Sequence, residues 1–310
     1  MKAYALTARD TQPAPSDLPN PDVGAGEVLV DVEAASVNGF DLSVAAGYVF
    51  DMLPHEFPVV LGRDFVGTVS AVGDGVETVA VGDRVAGVIP GMYLGPRTGA
   101  FADHVAVTAD AVTKVPEGVG VTDAAVIGLA GIAAHDAVAA LDVQPGDVVL
   151  VSGATGGVGS IALQLARAAG ATVIATARPG TEDEYVRSLG ATHTVDWSGG
   201  VAVAVREHAP EGVDKALHSA GDAATIGQTL RAGGAVATTL GATAEQLGRD
   251  DVTLAPIMAA ATADKLAALL DHVAQGNLRV NVEASVPLDR TQEAFALFAD
   301  GTLGKVLITR

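Results

Sequence analysis

Val148-Val-Leu-Val-Ser-Gly-Ala-Thr-Gly-Gly-Val-Gly159 decides the fold of this chain. Val148 to Val151 is apolar and mostly β-branched, as a buried strand requires. Ser152 to Gly159 is a glycine-rich turn, and Ser160 to Ala169 follows with Ile161, Leu163 and Leu165 as the apolar positions of a helix. Thr172 to Ala177 then reads as a second strand. Strand, glycine turn, helix and strand make the unit in which a pyrophosphate rests on the unpaired N–H groups and positive dipole end of a helix. Ala154, Gly156 and Gly159 fit the G-x-G-x-x-G spacing with Ala in first place, which weakens the motif, but the flanking strand and helix support it over an ordinary tight turn. Gly153, Ala154, Thr155, Gly156, Gly157, Val158 and Gly159 are therefore the expected dinucleotide-binding turn.

Outward from this unit the texture divides. Strands are expected at His193 to Val195, Val213 to His218 and Ala235 to Leu240, alternating with helical stretches, which is the pattern of a parallel, doubly wound sheet. Thr122-Asp123 is expected to cap one helix running through Ala134 to Leu141, and Ala263 to Ala274 makes another. Before residue 119 the chain reads as short strands punctuated by Gly, among them Lys2 to Leu6 and Glu27 to Ser36, as in a compact barrel-like domain. Gly91 to Ala100 is expected to be an exposed loop. The fold class is thus α/β. A β-rich domain is expected from residues 1–118 and 281–310, and a dinucleotide-binding domain from 119–280.

Composition excludes several functions. The 310 residues carry a formal charge of −19, against nucleic acid or anionic membranes as partners, since both call for clustered Lys and Arg. Cys is absent, so disulfides and thiolate metal sites are excluded, and a reducing cytoplasm is the expected location. Residues 1–9 lack the apolar core of a signal peptide, and the longest apolar run, Ala124 to Ala134, is too short to span a bilayer. No pair of the seven His has ligand spacing on one helix face, so no metal is expected, and His135 and His218 read as structural imidazoles.

The cofactor follows from the end of the second strand, where an NAD-preferring unit places an acid on the ribose 2′-hydroxyl. Here Thr172-Val-Ile-Ala-Thr-Ala177 leads to Arg178, whose planar fork suits a 2′-phosphate, and NADPH is expected. Glu182, Asp183 and Glu184 follow at once. Facing the pocket they repel the phosphate; in the first turn of a helix they are stabilised by its dipole and point to solvent, which is the favoured expectation. Ligands of open α/β sheets lie beyond the carboxyl ends of the strands, which adds Ser219, Leu240 and Gly241 as cofactor contacts.

The order of short motifs along the chain resembles the medium-chain dehydrogenase/reductase superfamily, specifically its zinc-independent quinone oxidoreductase branch. The resemblance is carried by Ser36-Val-Asn38 with Asp41, Leu61-Gly-Arg-Asp-Phe-Val-Gly67, Ala71-Val-Gly73, Gly82-Asp-Arg-Val85, Gly128-Leu-Ala-Gly-Ile-Ala-Ala-His135, Ser152 to Gly159, Leu189-Gly-Ala191, Gly233-Gly234 and Gly304-Lys-Val306. It implies a GroES-like catalytic domain, a Rossmann domain inserted before its C-terminal strands, a cleft between them, and a homodimer or homotetramer. Zinc-dependent relatives carry Cys where this chain has Asn38 and a His-Glu pair where it has Arg63-Asp64, so a metal-free site is implied. Arg63-Asp64 is taken as a structural ion pair or cleft lining.

By the same resemblance Asn38 is the active-site amide, orienting substrate or the nicotinamide ribose, and Tyr48 or Ser43 is the candidate donor to the substrate oxygen, with water as the alternative. The expected activity is NADPH-dependent hydride transfer to a small-molecule quinone or quinone-like acceptor. The alternatives are reduction of an enone or enoyl thioester, and a non-catalytic NADPH-binding structural or sensor role. An aromatic content of 4% offers few stacking partners and favours small or flexible substrates.

Overall fold

The strand Glu27–Ser36 alternates as its sequence implies: Val28, Val30 and Val32 are buried, while Leu29, Asp31 and Glu33 are partly exposed. The computed structural model describes all 310 residues, and this strand is central to the first of two compact units. Asp64–Val72 and His104–Thr108 pair antiparallel with it, and Lys305–Thr309 from the far end of the chain pairs with Ala34 to Ser36. Val282–Pro287, Arg84–Val88 and Val112–Lys114 complete a seven-stranded sheet. Ala14–Asp17, Lys2–Leu6 and Val59–Val60 form a smaller antiparallel sheet, and one apolar core containing Leu6, Val30, Phe65, Phe101 and Val306 serves both.

The second unit is a sheet of six strands, all parallel, in the order His193–Val195, Thr172–Thr176, Val148–Ser152, Val213–His218, Leu230–Thr238 and Thr253–Pro256. Val148–Ser152 comes first in the chain yet lies inside the sheet, and the strands wind outward from it on both sides. That order is the doubly wound Rossmann arrangement, so the α/β class with a β-rich unit and a parallel unit stands as expected. No helix is long and apolar enough to cross a membrane.

The compact units are residues 1–129 with 261–277 and 281–310, and residues 130–260 with 278–280. Both boundaries differ from those read off the sequence texture. Val121–Ala125 packs on Glu27–Ser36 and Asp64–Val72, and Ala263–Ala274 packs on Arg84–Val88 and Val112–Lys114, which draws both helices into the first unit. Where one helix was expected from Thr122 to Leu141 there are two, Val121–Ala125 and Gly128–Ala140. The break has a cause: the Asp64 carboxylate accepts the Leu129 N–H at 2.8 Å, filling one of the donors that a helix start leaves unpaired. A Cβ on Gly128 would lie 2.4 Å from that of Asp64, so only glycine lets the helix begin there. The segment Gly91 to Ala100 is also less exposed than expected, because Leu94 and Ala100 are buried in the first unit's core.

In the turn after Val148–Ser152, Gly153 has φ +77°, and a Cβ on Gly159 would stand 2.1 Å from the Gly153 carbonyl oxygen. Gly156 differs, since its Cβ would meet that oxygen at 3.6 Å, an ordinary contact. Gly159→Ala is therefore expected to cost ~2 kcal/mol or more in urea unfolding, by overpacking. Gly156→Ala, at the helix N-cap, should cost ~1 kcal/mol or less.

Candidate functional site

In the second unit the ends of three neighbouring strands are tied together by side chains. Ser152 Oγ donates to the Ala220 carbonyl and Ser219 Oγ to the Ser152 carbonyl, each at 2.6 Å, and Gly153 N–H donates to Thr176 Oγ1 at 3.0 Å. This holds the turn at the point where the sheet's order reverses, the usual ligand position in such sheets. The helix Gly157–Ala168 begins there with Gly156 as an N-cap that supplies no side-chain hydrogen bond. Its first N–H groups and positive dipole end are thus left for an anion. Gly153 is pressed against Ser219 and Ala220, where an added Cβ would lie 2.7 and 2.9 Å from them, so backbone and not side chain lines this cradle. The residues fit a dinucleotide pyrophosphate.

Arg178 lies just past the end of Thr172–Thr176, as expected. Glu182 does occupy the first turn of the helix Thr181–Ser188, but it does not point to solvent. Its Oε1 accepts from Arg178 Nε at 2.7 Å and Nη2 at 2.5 Å, and its Oε2 accepts from Arg178 N at 2.7 Å and Trp197 Nε1 at 2.9 Å. The guanidinium also lies 4.9 Å over the Trp197 ring. An anion seat made of guanidinium, backbone N–H and indole N–H is therefore filled by the chain's own carboxylate. The expectation of a solvent-facing Glu182 is corrected: the Arg178 fork, the Arg178 N–H and the Trp197 indole N–H together offer four donors, and these draw the carboxylate back onto them. Leu240 and Gly241 lie beyond the last residue of Leu230–Thr238, with Leu240 about half exposed. His218 is buried, its Nδ1 and Nε2 each 3.1 Å from Thr238 Oγ1 and the Gly221 carbonyl. His135 is partly exposed beside Asp136.

In the first unit Asn38 is the centre of a buried polar cluster. Its Nδ2 donates to the Ser36 carbonyl at 3.0 Å and to Asp64 Oδ2 at 3.2 Å, while its Oδ1 accepts from Lys305 Nζ at 2.6 Å. Its backbone N–H donates to Asp41 Oδ2 at 2.8 Å, and the other Asp41 oxygen takes the Gly62 N–H at 3.2 Å. Of the two roles expected for Arg63-Asp64, the ion pair is not formed, since each side chain has other partners. The Arg63 Nη2 donates to the carbonyls of Ile89 and Gly91, its guanidinium lies 5.4 Å over Phe40, and its Nη1 is buried without a partner. Asp64, the first residue of its strand, instead accepts from Ser36 N and Oγ, Asn38 and Leu129, while Arg63 lies in the bend before that strand. Tyr48 is 77% exposed and Ser43 Oγ donates to the Gly39 carbonyl, so neither belongs to the cluster. Lys305 and Asp41 had no assigned role. A lone Lys ahead of Val306-Leu-Ile308 on a buried strand was the available signal.

Burial raises the Asp41 carboxyl to about 7, and the negative charge of Asp64 adds to it; the Asn38 N–H, Lys305 and Arg63 work the other way. Burial likewise pulls Lys305 and Arg63 below their usual values, partly offset by Asp64 and Asp41. No group of three or more His, Asp or Glu side chains converges as a metal site needs.

Two family profiles match the chain: the alcohol dehydrogenase GroES-like domain over residues 24–117 and the zinc-binding dehydrogenase over residues 157–247. The chloroplast envelope quinone oxidoreductase homolog of Arabidopsis thaliana is 29% identical over 308 residues, covering 94% of this chain and 92% of that protein. The chain belongs to the medium-chain dehydrogenase/reductase superfamily. A mycobacterial member solved in complex with NADPH superposes with a TM-score of 0.87 at 28% identity, covering 100% of each chain. A mycocerosic acid synthase-like polyketide synthase of Mycobacterium tuberculosis is 39% identical over 207 residues, which is 66% of this chain but 9% of that protein. As a member of this superfamily the chain is an oxidoreductase that uses a nicotinamide dinucleotide on a small molecule, and it lacks the Cys that a thiolate zinc site needs.

The raised Asp41 carboxyl has a signed consequence. A folded value of about 7 lies above the ordinary carboxyl value, so the folded chain holds that proton more tightly than the unfolded one. Its contribution favours folding at low pH and is lost as pH rises toward about 7. Comparing urea unfolding of wild type and Asp41→Asn between about pH 5 and about pH 7, the wild type should lose up to ~1 kcal/mol more per pH unit than the variant. Equal slopes would remove Asp41 as the titrating group.

Proposed function

We propose that this oxidoreductase uses NADPH to reduce a quinone or quinone-like acceptor. The observation that carries the reading is the uncapped helix start behind Gly153 to Gly159, with Arg178 at the end of the next strand. When bound, NADPH supplies a hydride and its electron pair. Gly157 and Val158 present backbone N–H groups to the pyrophosphate, while Gly156, whose N–H donates to the Gly153 carbonyl, holds the shape of that turn with Ala154, Thr155 and Gly159. Ser219, Leu240 and Gly241 line the strand ends. Arg178 takes the 2′-phosphate, releasing Glu182 to do so.

Asn38 orients a bound group through the lone pair that Lys305 leaves on Oδ1. Both of its N–H bonds are already made, so it does not donate to the acceptor's oxygen. Ser43 and Tyr48 stand outside the cluster, which leaves water as the proton source. A quinone takes up hydride without metal assistance, in keeping with a chain that has no Cys. The likeness of the Arabidopsis quinone oxidoreductase homolog supports this acceptor class. The polyketide synthase relative favours a second reading, reduction of an alkene conjugated to a ketone or thioester.

Loss of NADPH absorbance with benzoquinone, with cyclohexenone and with neither separates the readings. Oxidation with the quinone alone is expected; oxidation with the enone alone supports the second, and tight NADPH binding with no oxidation supports a non-catalytic role. The cofactor assignment is tested at the anion seat. Glu182→Gln is expected to raise NADPH over NADH preference ~10-fold by removing the competing carboxylate, and Arg178→Ala to lower it ~10-fold, read as ratios of kcat/KM. A preference unmoved by either substitution would sink the assignment.

A further inference from the structure

The Asn38 amide is held from three sides, and one of the three is a buried cation. Lys305 is 2% exposed. Removing an ammonium from water is costly unless strong partners replace the water, and the lowered value of this one reflects that burial. A cation set there only to neutralise Asp41 and Asp64 would be expected to touch one of them. Its hydrogen bonds go elsewhere: Nζ donates to the Val37 carbonyl at 2.7 Å and to Asn38 Oδ1 at 2.6 Å. On the other side of the same amide, Asp64 and the Ser36 carbonyl receive both hydrogens of Nδ2.

We propose that Lys305 is the positioning residue for Asn38: its ammonium fixes the amide oxygen so that Asn38 meets a ligand only as a hydrogen-bond acceptor. This rests on the reading above in which Asn38 handles a ligand. Shape alone does not distinguish the two ends of a carboxamide, so an unheld Asn38 can turn and present N–H instead. An ammonium at the oxygen and a carboxylate at the nitrogen select one of the two orientations. They also polarise the amide in the same sense, which strengthens the remaining lone pair. The group received there is consequently a donor, such as a ribose hydroxyl or a carboxamide N–H. The oxygen of a quinone or an enone, which only accepts, is not received by Asn38.

Asparagine labelled with nitrogen-15 gives a direct test, because the chain has only four Asn, at 20, 38, 277 and 281. The side-chain signals of Asn38 are those lost in Asn38→Ala. In wild type they should exchange slowly with water, and in Lys305→Met they should move and exchange ~10-fold faster or more. In NADPH oxidation by benzoquinone, Lys305→Met and Asn38→Ala should each lower kcat/KM by ~10²-fold, and the double variant should fall no more than ~3-fold below Asn38→Ala. A purely structural Lys305 gives the other result, in which the two losses multiply and the Asn38 signals stay in place, and that overturns the proposal. If Lys305→Met does not fold, Lys305→Gln, which keeps an N–H donor without the charge, carries the same comparison and must again move the Asn38 signals. A wild type that reduces no acceptor refutes the reading of the function, while the Asn38 signals still decide the role of Lys305.

Discussion

A carboxylate with no access to water has to find every hydrogen bond inside the protein, and Asp64 is such a group. It accepts from Ser36 N at 2.9 Å and Oγ at 2.8 Å, from Asn38 Nδ2 at 3.2 Å and from Leu129 N at 2.8 Å. Those donors belong to the end of Glu27–Ser36, the loop after it and the start of Gly128–Ala140. One side chain thus fixes where a strand ends, where a helix begins and which way the Asn38 amide points. Gly128 is the backbone counterpart of this arrangement, because any Cβ there would occupy the place of the carboxylate. The polar cluster of the first unit is built outward from Asp64.

The cations show how the chain manages a formal charge of −19. With 18 Lys and Arg against 37 Asp and Glu, a cation left free near a ligand site attracts the chain's own acids. Arg178 has been taken up by Glu182, Arg63 by the carbonyls of Ile89 and Gly91, and Lys305 by Asn38 and Val37. Neutral oxygens hold the two buried cations, whereas a carboxylate holds the exposed one. The difference follows from burial: a further charge inside the first unit would add to the repulsion already present between Asp41 and Asp64, while at the half-exposed Arg178 solvent screens the pair.

The dinucleotide turn was legible in the sequence because it is made of backbone. A β-branched run, glycines at fixed spacing and an Ala-rich helix each leave a local pattern, and the structure places both strands, Val148–Ser152 and Thr172–Thr176, within a residue of expectation, while the helix Gly157–Ala168 starts three residues earlier than Ser160, inside the glycine turn. The polar cluster was not legible, because its bonds join Asn38 to Lys305 across 267 positions and to Asp64 across 26. Asn38 itself was found by resemblance alone. The Arg63-Asp64 pair misled for a related reason, since each side chain is taken up by groups far along the chain, Arg63 by the Ile89 carbonyl across 26 positions and Asp64 by Ser36 across 28. The broken helix before Gly128 escaped notice because its cause is a carboxylate 65 positions away in the chain.

The same cluster shows why a buried acid near neutrality matters to the chemistry proposed. Asp41 and Asp64 face Arg63 and Lys305, so with every group charged the four sum to zero. Protonation of Asp41, whose carboxyl is raised to about 7, leaves the cluster with one net positive charge. Inside a protein that charge is poorly screened and acts on its neighbours more strongly than it would in water. In the activity proposed, negative charge develops on the oxygen of the hydride acceptor, and a positive cluster favours that development. Asn38 cannot respond by turning an N–H toward the oxygen, because Asp64 and the Ser36 carbonyl hold both of its hydrogens. Its contribution is therefore orientation, and the electrostatic one belongs to the four charged groups around it.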